Sequence, residues 1–134
     1  MKRAIWIAFS CLALLLALGV GAYAKKAPSS GKACKAGKSC VCDGPTGCER
    51  TCDGPGCAFE CKGAGACAFR CEAGKCTVAS TGTGPVELEC QGNGCSMTCS
   101  GAGSCALLSC KQDCKADCTG AGACVNECQD ASCK

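Results

Sequence analysis

An all-β fold, a disulfide-stapled β-solenoid or β-roll built from rungs of 9 to 10 residues, is what the sequence predicts. Three observations lead there. A short unit recurs along the chain: a glycine-containing turn, a cysteine, three residues and a second cysteine, as in "DGPGCAFEC", "KGAGACAFRC", "QGNGCSMTC" and "TGAGACVNEC". Self-similarity at a short fixed period marks a solenoid or roll. Within each unit apolar and polar positions alternate, which is the strand period. The chain holds 21 cysteines but only 3 Phe, 1 Trp and 1 Tyr, so sulfur rather than aromatic packing has to stabilise it.

Residues 1–24 are read first, because they do not belong to the fold. Lys2 and Arg3 precede an apolar run over residues 4–21, and Ala22-Tyr23-Ala24 closes it with a small-x-small site. This is the layout of a secretory signal peptide cleaved after Ala24. Its removal takes away Trp6, Phe9, Cys11 and Tyr23. Phe59 and Phe69 are then the remaining aromatics, and the cysteine count becomes even. An even set of cysteines in an exported chain reads as disulfides, so the protein is expected to be secreted, periplasmic or in the cell envelope.

Residues 25–33 form a Lys-rich flexible linker with Pro, Ser and Gly. The basic stretch carries Lys25, Lys26, Lys32, Lys35 and Lys38 without an acid, and an anionic envelope surface is the partner this arm suggests. The rest is mildly acidic and the mature chain nearly neutral, which gives no case for nucleic acid.

The cysteine-rich repeat domain spans residues 34–134. Cys-x-x-x-Cys on a strand places both sulfurs and the residue midway between them on one face. Read down the rungs, that midway position is Arg50, Phe59, Phe69, Val78, Leu88, Met97, Leu107, Ala116 and Asn126. It is apolar except at the two ends, as an interior column with polar caps should be. The flanking positions, among them Glu60, Arg70, Thr77, Glu87, Glu89, Ser96, Thr98, Lys115 and Asp117, are polar and face outward.

The pairing follows from one irregularity. Two cysteines four apart on a strand have Cα atoms about 13 Å apart, too far for a bond. Bridges that span turns instead join Cys34 to Cys40, Cys42 to Cys48, Cys52 to Cys57, Cys61 to Cys67 and Cys71 to Cys76. They continue with Cys90 to Cys95, Cys99 to Cys105, Cys110 to Cys114, Cys118 to Cys124 and Cys128 to Cys133. All are used, and the one bare turn, "STGTGP" from Ser80 to Pro85, lacks both partners at once. Pairing within rungs would strand Cys76 and Cys90.

A coil of one rung encloses almost no interior, so two strands per coil are expected, with disulfides along both narrow edges. The rungs ending at Cys90 and Cys110 read as longer than the rest, which places one bulge over another. The alternative is an antiparallel β-meander of disulfide-closed hairpins.

The glycine turns resemble the nonapeptide repeats of secreted calcium-binding β-rolls. Those carry an Asp where this chain has Cys67 after Gly63 and Gly65, and Asp43 and Asp53 read as turn-starters. The stapled scaffold resembles the cysteine-rich β-solenoid antifreeze proteins of insects, which implies ice or surface binding. Their regular threonine array is not reproduced by Thr77, Ser96 and Thr98. As a whole the chain resembles exported cysteine-rich short tandem-repeat proteins of bacterial type, a resemblance that implies no activity.

No pattern specifies a reaction, and the sequence reads as a non-enzymatic structural or interaction scaffold without a cofactor. There is no His, so acid–base chemistry would fall to carboxylates or lysines. Glu87 and Glu89 share a face and read as a solvated strand surface. A metallothionein-like thiolate protein is the chemical alternative, although such chains use dense Cys-x-Cys and this one has a single Cys40-Val41-Cys42. That short motif is also the one place where a redox-active bridge suggests itself.

Overall fold

The computed structural model describes residues 31–128. The signal segment, Lys25, Lys26 and Cys133 lie outside the described residues. Eleven short strands follow one another: β1 (Lys32–Cys34), β2 (Ser39–Cys42), β3 (Cys48–Cys52), β4 (Ala58–Cys61), β5 (Cys67–Cys71), β6 (Thr77–Ser80), β7 (Val86–Cys90), β8 (Ser96–Cys99), β9 (Cys105–Cys110), β10 (Lys115–Cys118) and β11 (Cys124–Cys128). No helix occurs among the described residues. Glycine at almost every turn and the period-2 pattern leave no window for one.

Odd strands form one sheet, in the order β1-β3-β5-β7-β9-β11, and even strands form the other, in the order β10-β8-β6-β4-β2. Every pairing is parallel. The chain therefore winds as a flattened β-solenoid, each coil giving one strand to each sheet. The antiparallel meander is ruled out: a turn between consecutive strands crosses from one sheet to the other and makes no hairpin. The register repeats every 19 residues through the middle coils, where Cys52, Cys71 and Cys90 are successive partners.

The two sheets face each other across a thin core. From the odd sheet come Phe69, Leu88 and Leu107, and from the even sheet Phe59, Val78 and Met97, each at most 3% exposed. Phe59 and Phe69 stack with ring centroids 4.5 Å apart and planes 16° from parallel. At the ends the same column becomes polar or small: Arg50 is half-buried, Ala116 packs partly against the core and Asn126 is exposed. Fourteen of the 21 buried hydrophobic residues described are cysteines, so the core is lined mainly by sulfur.

Register corrects one reading of the bare turn. Val86, not Pro85, lies opposite Cys67 and Cys105, while Ser80 lies opposite Cys61 and Cys99. Val86 and Ser80 are each 2% exposed and fill the two missing cysteine positions. Pro85 belongs to the exposed turn, where its carbonyl accepts the Cys67 N–H at 2.9 Å. Pro85 needs no N–H in this role.

The rung ending at Cys90 is thus of ordinary length, and β7 pairs with β5 without a break. The two stacked bulges expected from the sequence reduce to one, in β9. There Ser109 adopts φ 60° and is exposed, while Cys110 behind it is fully buried. Strict alternation would have turned Ser109 inward and Cys110 outward. The extra residue in left-handed backbone resets the parity. The irregularity reappears in the β11–β9 register between Asn126 and Cys128.

Candidate functional site

The two narrow edges of the solenoid carry the chemistry that the cysteine pattern promises. Turns leading from the odd to the even sheet make the first edge. It holds the bridges Cys34–Cys40, Cys52–Cys57, Cys71–Cys76, Cys90–Cys95 and Cys110–Cys114. Turns leading back make the second edge, with Cys42–Cys48, Cys61–Cys67, Cys99–Cys105 and Cys118–Cys124. Cys128 is also disulfide-bonded. The bare turn between Ser80 and Val86 interrupts the second edge halfway, whereas every described turn of the first edge is bridged.

These turns are shaped by backbone contact between coils. On the second edge a glycine column stacks so tightly that a Cβ at Gly82 would meet the carbonyl oxygen of Gly63, and one at Gly101 that of Gly82. On the first edge the residue three or four positions after the strand enters left-handed backbone at Gly56, Lys75, Gly94 and Asp113 alike. Inter-coil hydrogen bonds hold that conformation: Gly56 N–H donates to Gly74, Lys75 N–H to Asn93 and Gly94 N–H to Gln112, at 2.8 to 3.2 Å. The Asp53 carboxylate accepts the Ala36 N–H at 2.7 Å, so it fastens the turn of the coil before its own. Asp43 is exposed in its turn.

Stacking brings sulfurs of neighbouring bridges together on the first edge. The Sγ atoms of Cys52, Cys71 and Cys76 all lie within 4.8 Å of one another, and so do those of Cys90, Cys95 and Cys114. All six residues are at most 4% exposed. The Cys95 N–H also points at Cys114 Sγ, 3.3 Å away. Among the described residues these are the groups of cysteine and carboxylate side chains close enough to converge on one ion. The ligand atoms in each are already bound into disulfides.

No protein-family profile, curated protein or solved structure matches this chain.

The Cys40-Val41-Cys42 motif does not form a redox pair. Cys40 is bonded across the first edge and Cys42 across the second, while Val41 faces solvent. Cys40 stands in register with Phe59, so in the first coil a sulfur occupies the place of the apolar midway residue. The Cys34–Cys40 bridge starts in line with Cys52 but ends late: Ser39 stands opposite Ala58, so the place in line with Cys57 falls to Lys38.

Glu87 and Glu89 do lie on the outer face of β7, but in unlike surroundings. Glu89 Oε2 is 3.0 Å from Arg70 Nη2 on the neighbouring strand, and Glu89 Oε1 accepts the Gln91 side-chain amide at 3.0 Å. Glu87 is exposed. The hollow that Glu49, Ala68, Phe69, Arg70, Glu87 and Glu89 surround has a volume of about 30 Å³, room for about one water. On the even sheet the hydrogen bond from Lys62 to Glu60, 2.6 Å long, raises the Lys62 pKa above its ordinary value.

The outer face of the even sheet presents two columns. Ser39, Ala58, Thr77, Ser96 and Lys115 form one, and Val41, Glu60, Ala79, Thr98 and Asp117 the other. Thr77 and Thr98 stand in different columns, so no threonine ladder runs along the sheet. Lys32, Lys35 and Lys38 are all exposed around the first coil.

Proposed function

We propose that this protein is an exported, non-enzymatic scaffold, of the kind seen in cysteine-rich short tandem-repeat proteins of bacterial type, that displays side chains on two flat, rigid sheet faces. The observation that carries the reading is the closure of all but one described turn by a disulfide around a core lined with cysteine. Disulfides in this density form and persist in oxidising compartments, which favours the secreted, periplasmic or envelope location. The basic residues Lys25, Lys26, Lys32, Lys35 and Lys38 supply a contact for an anionic envelope surface.

A second reading, a thiolate metal-binding protein, is favoured by the two sulfur triads of the first edge. One measurement separates the two. Intact mass of the protein recovered from its producing cells, unfolded with and without an alkylating agent, counts free thiols and bound metal together. The scaffold reading expects a chain beginning at Lys25 with no alkylatable thiol and no retained metal. Alkylation at many cysteines with stoichiometric metal would replace it by the second reading. Replacing Lys25, Lys26, Lys32, Lys35 and Lys38 by Gln, which leaves strand β1 in place, is expected to abolish retention on envelope preparations, and unchanged retention would remove the basic arm from the proposal.

A further inference from the structure

The two sulfur triads are arranged as a thiol beside a disulfide. In each, two members are the partners of one bridge and the third belongs to the neighbouring coil: Cys52 beside Cys71–Cys76, and Cys114 beside Cys90–Cys95. Parallel strands set coils about 4.8 Å apart, so bridges stacked in register bring sulfur near sulfur. We propose that the first edge contains two built-in thiol–disulfide exchange sites, in which Cys52 attacks the Cys71–Cys76 bridge and Cys114 attacks the Cys90–Cys95 bridge whenever their own bridges are open.

The step balances within the protein. With Cys57 unbonded, the Cys52 thiol loses its proton and the thiolate attacks Cys71 Sγ. The Cys52–Cys71 bond forms as Cys71–Cys76 breaks, and Cys76 leaves as a thiolate that takes up a proton. Attack on Cys76 releases Cys71 instead. One disulfide and one thiol go in and come out, so no oxidant or reductant is consumed. Cys71, Cys76, Cys90 and Cys95 are fully buried, which keeps dissolved thiols from competing. The consequence is that a bridge closed in the wrong coil during oxidative folding has an internal route back to the native partner. The second edge has no equivalent among the described residues: its sulfurs form no such triad, and Ser80 and Val86 separate its bridges into two groups.

Single substitutions place the attacking thiol. C57S leaves Cys52 free, C110S leaves Cys114 free, and C105S leaves Cys99 free on the second edge. Each variant is held at pH 7 and at pH 8, quenched with acid, unfolded, alkylated under acid and mapped without reduction. The label in C57S is expected at Cys71 and Cys76 as well as Cys52, and in C110S at Cys90 and Cys95 as well as Cys114. In C105S it is expected at Cys99 alone. Redistribution should be about eightfold faster at pH 8 than at pH 7, following the thiolate fraction of a thiol with the ordinary pKa of about 8.5. A label confined to Cys52 and to Cys114 overturns the proposal. So does equal spreading in C105S, or spreading over all cysteines in C57S and C110S, since either means unfolding rather than exchange in place.

Discussion

Gly101 stands where two coils touch backbone to backbone on the second edge. Its missing side chain is what allows the approach, because a Cβ there would collide with the Gly82 carbonyl oxygen. The obstacle is main chain and not a flexible side-chain tip, so the coil itself has to move. Gly101→Ala is therefore expected to cost at least about 2 kcal/mol, read from denaturant unfolding under non-reducing conditions; an unchanged midpoint would show that the turns are not in contact. The glycine turns were legible from the sequence, since glycine recurs two or three residues after most of the cysteines that end a rung. The left-handed backbone at Lys75 and Asp113 was not legible. Lysine rarely adopts it, and at Lys75 it is held by a hydrogen bond to the neighbouring coil, Lys75 N–H to Asn93 at 2.8 Å. Inter-coil contacts of that kind leave no mark on the local sequence.

At the level of strands, β9 is the exception that tests the rule. Its neighbours carry three residues between inward cysteine positions and it carries four, with Ser109 as the surplus. Deleting Ser109 gives the ordinary spacing. It also removes the mismatch opposite β11, where Asn126 pairs with Leu107 but Cys128 with Cys110. The deletion is expected to preserve the Cys110–Cys114 bridge and leave the melting temperature unchanged or higher. A free thiol at Cys110 or a large fall in melting temperature would mean that the bulge aims this bridge.

The inward column and the parity of the strands were readable because period-2 burial is written in residue type. The exact residue filling a missing cysteine position was not. Pro85 looks like the end of a turn, and only register against β5 and β9 shows that Val86 stands in the cysteine column. Counting four residues back from Cys90 would have found it. The sulfur triads likewise depend on which bridge lies above which, information that the order of coils supplies and a single rung does not.

Taken as a whole, the molecule is a ladder with one rung of sulfur left out. Ser80 and Val86 are buried at the two positions that bridge elsewhere on the second edge. The corresponding cysteines on the adjacent coils have Cα atoms 6.2 and 6.7 Å apart and are bonded. Ser80→Cys combined with Val86→Cys is expected to close an additional bridge, lowering the mass by two hydrogens relative to the same variant with those two thiols unpaired. Stability should rise by about 2 kcal/mol on the chain-entropy account. Two alkylatable thiols in the double variant would show that this turn is held apart. The solenoid class and the two-strand coil were both within reach of the sequence, because a rung too short to enclose a core forces a second strand into each coil. Parallel pairing was not: the antiparallel meander satisfied the same spacing until register excluded it, and the surface that meets a partner has no geometric requirement behind it at all.

Every described bridge joins residues only four to six positions apart across a single turn, and none ties stacked strands of one sheet to each other. Sulfur thus closes each turn into a small hoop, while hydrogen bonds and the inner column alone hold the stacked strands together. A force applied at the two ends meets no covalent tie between hoops, so they should peel away singly. Each 19-residue coil with two closed hoops would pay out only about 40 Å of slack, against about 65 Å for the same stretch with its thiols reduced. The molecule is a spring whose travel is set by its oxidation state.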